Sequence, residues 1–205
     1  MNGADLVARL RRLRGESQRP RLVIGIAGAP GAGKTTLALD LVARLGPDAV
    51  HLPMDGFHLA DVELERLGRR DRKGAPDTFD PGGLAALLAR VGDGEPVWAP
   101  AFDRDLEQPV AQSIAVLPEH EIVVVEGNYL LLPESGWAAV RSRLDEAWYL
   151  RLDEPTRRQR LVARHVRFGK APDAAEEWVA RVDEPNAGLV DRSAPRADLV
   201  IDLGR

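Results

Sequence analysis

The chain has 205 residues, with 28 lysines and arginines against 32 aspartates and glutamates, hence a formal charge of −4. At roughly 150 residues per domain this is expected to be one sizeable domain, or one domain with a small insertion. With 44% hydrophobic and 29% charged residues it reads as globular, not as disordered, collagen-like or membrane-embedded. Cysteine is absent, which excludes disulfide scaffolds, thiol nucleophiles and cysteine-held zinc and fits a reducing, cytoplasmic setting.

Leu6, Leu10 and Leu13 recur at helical spacing among Arg9, Arg11, Arg12 and Arg14, so an amphipathic first helix is expected, without the apolar core of a secretory signal. Residues 21–27 (RLVIGIA) predict a strand, followed by a glycine-rich loop and a helix over 34–45 that Gly46-Pro47 ends. A second strand is predicted over 49–54. The charged stretch 61–80 and the segment 96–117 look like additions to the scaffold. The latter carries β-like runs at 97–102 and 110–116 that resemble a hairpin. Further strands are predicted at 121–126, 147–152 and 197–203. An arginine-crowded helix covers 156–168, and another covers 175–182, after which Pro185 is expected to end or restart helical structure. Apolar strands separated by helices predict an α/β fold with a five-stranded parallel sheet covered on both faces. The longest aliphatic runs fall far short of the ~20 residues that a membrane-spanning helix needs.

The strongest signal is Gly28-Ala29-Pro30-Gly31-Ala32-Gly33-Lys34-Thr35, a full G-x-x-x-x-G-K-[ST] motif, followed by Thr36. Glycines let backbone amides turn inward around phosphate oxygens at a helix N-terminus. Lys34 can then reach the β- and γ-phosphates, and the Thr35 hydroxyl can coordinate Mg²⁺. A dinucleotide fingerprint fails, because Thr36 stands where its third glycine belongs. Asp55 follows the second strand and Glu126 ends the third. Parallel sheets gather ligands at the carboxyl ends of strands, so both acids are expected beside the phosphate loop. There Asp55 can accept a hydroxyl proton or bind Mg²⁺ through water, and Glu126 can hold metal-bound water.

The order of five blocks resembles the uridine kinase, phosphoribulokinase and type I pantothenate kinase superfamily, with a P-loop NTP hydrolase fold. The blocks are the loop itself, Met54-Asp55-Gly56-Phe57, the run from Arg72 to Asp80, Pro100-Ala101-Phe102-Asp103, and Glu126-Gly127-Asn128. Pro53-Met54-Asp55-Gly56-Phe57-His58 with Glu126-Gly127-Asn128-Tyr129 looks most like the bacterial fructose-transport-system and nucleoside-kinase-like subgroup. The resemblance implies ATP and Mg²⁺ as cofactors, Asp55 as catalytic base, and Glu126 as a Mg²⁺-associated acid. It implies a lid over about 156–171, with Arg164 approaching the transferred phosphate and Arg160 on the same helical face. It implies acceptor contacts from His58, Asp80, Phe102, Arg104 and Asn186. Arg104 stands where pantothenate kinases carry a histidine, and Gly74 stands where uridine kinases carry a ribose-gripping acid. The expected partner is a small-molecule hydroxyl acceptor rather than nucleic acid or membrane, with a homodimer as one assembly. The competing expectation is an NTP-dependent switch with no acceptor.

Overall fold

The structure, a computed structural model, describes residues 2–134 and 136–203. Its strands are β1 (Leu22–Ala27), β2 (Ala49–Pro53), β3 (Val97–Asp103), β4 (Gln108–Val116), β5 (Ile122–Glu126), β6 (Glu146–Arg151) and β7 (Leu199–Asp202). Its α-helices are α1 (Gly3–Glu16), α2 (Lys34–Leu45), α3 (Asp61–Arg66), α4 (Pro81–Gly92), α5 (Trp137–Arg141), α6 (Glu154–Arg167), α7 (Pro172–Trp178) and α8 (Glu184–Ser193). A parallel sheet runs in the order β2-β5-β1-β6-β7, and β3 and β4 form a separate antiparallel hairpin.

The sheet is buried on both faces because β1 is apolar throughout and β5 is apolar up to its terminal Glu126. In β5, Val123 and Val125 pack with Leu84 and Leu88 of α4, Trp137 of α5 and Val97 of the hairpin. Ile122 and Val124 point the other way, to Leu6 and Leu10 of α1 and Leu41 of α2. The two-residue alternation of a strand thus feeds two cores from one run. Each fully buried leucine or valine contributes about 1.5–3 kcal/mol of burial energy, so the two clusters hold the helices in place.

The first helix forms as its leucine spacing predicts. Asn2 and Asp5 cap it reciprocally, each side chain accepting from the other's backbone N–H at 3.0 Å. The structure differs from expectation at the end of β2, where Met54 leaves the strand for a tight 3₁₀ turn over Met54–Phe57. It differs again over the helix expected at 175–182, while Pro185 restarts helical structure as expected. A wide π-type turn over Val179–Asp183 joins α7 to α8, and Pro185 sits in the first turn of α8, where its missing N–H is not needed. Among the described residues no helix is long and apolar enough to cross a membrane.

Candidate active site

β1 leads directly into residues 28–33, which curl before α2 begins at Lys34. Gly33 precedes the helix in a left-handed conformation (φ 99°), gives it no side-chain cap, and no acidic residue follows in the first turn. The amides opening α2 therefore point into the loop, with the positive end of the helix dipole behind them. Gly31 is also left-handed (φ 82°). A Cβ there would lie 2.8 Å from Leu161 and 2.9 Å from the Arg157 carbonyl, so only glycine lets the loop press against α6.

Sheet register explains why distant residues meet beside this loop. Glu126, the last residue of β5, pairs with Ile26 of β1 on one side and Pro53 of β2 on the other. The loop, Glu126 and the turn after β2 consequently share one edge of the sheet. Glu126 is buried, and its Oε1 accepts from Thr35 Oγ1 at 3.0 Å. Lys34 is buried beside it, its Nζ donating to the Ala29 carbonyl at 3.2 Å and to Asn128 Oδ1 at 2.6 Å. Burial pushes the Lys34 pKa down, while the Glu126 and Asp55 carboxylates work to keep it charged.

A cleft of about 580 Å³ opens from this edge toward the hairpin, with Lys34, Thr35, Asp55 and Glu126 on its floor. Asp55 Oδ2 accepts from Arg104 Nη2 at 2.6 Å. Gly56 sets the spacing between that turn and the hairpin. A Cβ there would fall 2.2 Å from the Pro100 carbonyl oxygen, at the bulge where the register of β3 shifts between Ala99 and Ala101. His58 lies against Phe79 and Phe102, with ring centroids 3.9 and 4.8 Å away. Its Nδ1 sits 2.8 Å from the Asp55 carbonyl, which can only accept, so Nδ1 carries the proton and Nε2 remains an acceptor. Burial pushes the His58 pKa down, which keeps the ring neutral.

Of the residues expected in the site, Lys34, Thr35, Asp55, His58, Phe102, Arg104, Glu126, Arg164 and Asn186 line this one cleft, and Pro30 joins them from the loop. The other expected loop residues, Gly28, Ala29, Gly31, Ala32, Gly33 and Thr36, form the loop and the start of α2 without lining the cleft, and outside the loop two expected residues do not line it either. Asp80 caps α4 by accepting from the Gly83 amide at 2.8 Å, because the helix opens with Pro81 and needs an oxygen at that position. Arg160 is exposed beside the loop, its Nη1 3.7 Å from the point where a Gly33 Cβ would stand, and does not line the cleft. Arg157, one turn before it, is buried. Its Nη2 takes both oxygens of Glu184 at 2.8 and 2.7 Å, and its Nη1 donates to the Pro30 carbonyl at 3.4 Å.

Three cleft or edge residues were missed in the sequence. Asn128, partner of Lys34, stands two positions past the strand-end acid, and that offset is the signal that points to it. Asp183 reaches the cleft through the π-type turn and pairs with His165 at 2.7 Å; nothing in the local pattern announces the turn. His51, in β2, places Nε2 3.7 Å from Glu126 Oε1, buried and without a hydrogen-bond partner.

The family described as "Phosphoribulokinase / Uridine kinase family" matches residues 23–205. The uncharacterised protein YggC of Escherichia coli (strain K12) is 34% identical over 188 residues, which cover 89% of this chain and 78% of that one. A Schizosaccharomyces pombe protein named "Putative uridine kinase C227.14" is 34% identical over 195 residues, 88% of this chain and 83% of that one. Among solved structures, a Silicibacter sp. TM1040 protein described as a "putative fructose transport system kinase" superposes with a TM-score of 0.88 at 35% identity, over 98% of this chain and 99% of that one.

Proposed function

Because the chain belongs to the phosphoribulokinase/uridine kinase family, and so is a P-loop kinase, we propose that it moves the γ-phosphoryl group of ATP to a hydroxyl of a small polar metabolite. The observation that carries this reading is the shared sheet edge, where a carboxylate, Asp55, and a phosphate-type loop with its lysine open into one cleft. A nucleotide switch needs the loop but has no use for a proton-accepting carboxylate in a cleft that runs on to His58, Phe102 and Arg104.

The loop amides and Lys34 hold the β- and γ-phosphates. The acceptor oxygen bonds to the γ-phosphorus as the bond to the β-phosphate oxygen breaks, its proton passes to Asp55, and ADP leaves. Arg164 lines the same cleft close enough to Lys34 to perturb it, and so suits charge spreading over the transferred group. Arginines in that role contribute ~10³–10⁵ in rate. The helical segment over 156–171 closes as a lid that excludes water.

The donors fit Mg²⁺: a threonine hydroxyl and a carboxylate are hard oxygen ligands, and such an ion keeps phosphate oxygens and water for its remaining positions. Thr35 and Glu126 would hold it, with Asp55 nearby, and it would neutralise charge on the β- and γ-oxygens.

ADP release from Mg-ATP, measured against fructose, uridine, pantothenate and sugar phosphates, tests the proposal. Asp55→Asn is expected to cut acceptor-dependent release by ~10²–10⁴ while leaving ATP binding in titration calorimetry within about threefold. ATP binding with no acceptor-dependent release across the panel would favour the switch instead.

A further inference from the structure

The acceptor end of the cleft holds a conflict between geometry and chemistry. Asp55 is the group that must receive a proton, yet its carboxylate is bonded to the Arg104 guanidinium at 2.6 Å. A carboxylate oxygen held in a charge-assisted bond to an arginine has fewer lone pairs to offer a hydroxyl. Moving Arg104 to another partner would return Oδ2 to the acceptor hydroxyl.

The other cations at this end are already committed. Lys73 Nζ donates to Asp61 at 2.6 Å and to the Glu107 carbonyl at 2.5 Å. Arg70 pairs with Asp61 at 3.2 Å and with Glu65 at 2.5 Å. Arg104 differs, because its carboxylate partner is the base itself.

The arginine is also delivered by a built loop. Asp103 accepts from the backbone amides of Asp105 and Leu106, each at 2.9 Å, which fixes the turn around it. The bond from Lys73 to Glu107 ties the same tip to the segment after α3. The side chain is about half exposed and rests over the Phe102 ring, 4.9 Å from its centroid. It can swing without leaving that cation–π seat. Lys73 lies 5.4 Å from the same centroid, and the His58 ring lies 4.8 Å from it.

A neutral polyol offers a guanidinium only dipoles, a poor exchange for a carboxylate. A carboxylate or phosphate offers equal charge and a matching two-oxygen edge. We propose that the acceptor is an anionic hydroxy compound whose carboxylate or phosphate takes Arg104, so that acceptor binding itself frees Asp55 to receive the hydroxyl proton. Arg104 is then both the specificity determinant and a latch on the base. The acceptor Nε2 of His58 suits a further hydroxyl of the same molecule. This inference rests on the phosphotransferase reading above.

The test is ADP release from Mg-ATP with matched acceptors that differ in charge. Pantothenate against pantothenol and glycerate against glycerol form the carboxylate arm, and fructose 6-phosphate against fructose forms the phosphate arm. In at least one arm the charged member is expected to show kcat/KM at least about tenfold above its neutral partner. Arg104→Gln is expected to raise KM for that charged acceptor about tenfold or more with kcat changed less than about threefold, and Arg104→Lys to restore most of the loss. The arm that responds identifies carboxylate or phosphate. Neutral members turned over as well as charged ones, or a charge preference that survives Arg104→Gln, would overturn the inference and leave the kinase reading intact. Absence of acceptor-dependent release in every pair would sink both.

Discussion

Replacing Arg157 by leucine removes the cation that locks α6 against the phosphate loop. The side chain is 5% exposed, and its guanidinium spans two elements, binding both oxygens of Glu184 in α8 and reaching the Pro30 carbonyl. Breaking a buried ion pair from one side costs about 3–5 kcal/mol, because the remaining charge is left without a partner. Glu184 is 24% exposed and can recover some hydration, which lowers the expectation for Arg157→Leu to about 2–3 kcal/mol. At about 2–4 °C per kcal/mol for a chain of this size, the unfolding midpoint is expected to fall by about 4–12 °C. The double variant Arg157→Leu/Glu184→Leu removes the orphaned carboxylate as well and is expected to recover at least half of that loss. Circular-dichroism melts of the wild type, both single variants and the double variant give the coupling directly. A double variant that melts as low as Arg157→Leu would refute the reasoning, because the cost would then be lost packing rather than an uncompensated charge. Arg157→Leu should also raise KM for ATP, since the loop loses its support at Pro30.

Gly56→Ala tests how tightly the hairpin is set against the candidate base. The new methyl would stand 2.2 Å from the Pro100 oxygen, where ordinary contact begins at 3.4 Å, so the hairpin backbone must retreat. About 1–3 kcal/mol of overpacking is expected, with turnover down about a hundredfold per ångström of misplacement; unchanged turnover with an unchanged melt would contradict this. The pH dependence of stability tests His58. Burial holds its pKa below the ordinary 6.5, so above that pH it costs nothing, and as pH falls through 6.5 the unfolded chain gains a proton that the folded one resists. Melts from pH 7.5 to 5.5 should decline less in His58→Asn than in the wild type. Carboxylates held down by arginine partners, Asp77 by Arg72 and Glu63 by Arg66, act in a lower window, their contributions lost below 3.8 and 4.5.

The phosphate loop was legible because its function depends on neighbours in sequence. A strand, three glycines, a lysine and a threonine suffice to point amides and an ammonium at one place. Asp55 and Glu126 were legible for a related reason, since strand ends in a parallel sheet collect on one edge whatever the side chains do. The helix over α6 could be read, but not which of its arginines face inward. Arg157 and Arg160 differ by three positions, yet one is buried in an ion pair and the other lies exposed beside the loop. Helical spacing says which residues share a face; it does not say what that face meets. Asp80 was read as an acceptor contact because it sits in a motif block, whereas its oxygen is consumed locally in starting α4.

By itself the sequence determined the element order, the two-faced burial of the sheet and the glycine-rich loop ahead of α2, because periodicity and backbone freedom act over a few residues. Only the tertiary structure decided that Arg104 closes on Asp55 from 49 residues away, that Asn128 reaches Lys34 across 94, and that Arg157 reaches Pro30 across 127. Those pairings depend on where a sheet edge, a bulged hairpin and a π-type turn finally sit. A charge finds its partner by distance in space, and spacing along the chain does not encode that distance.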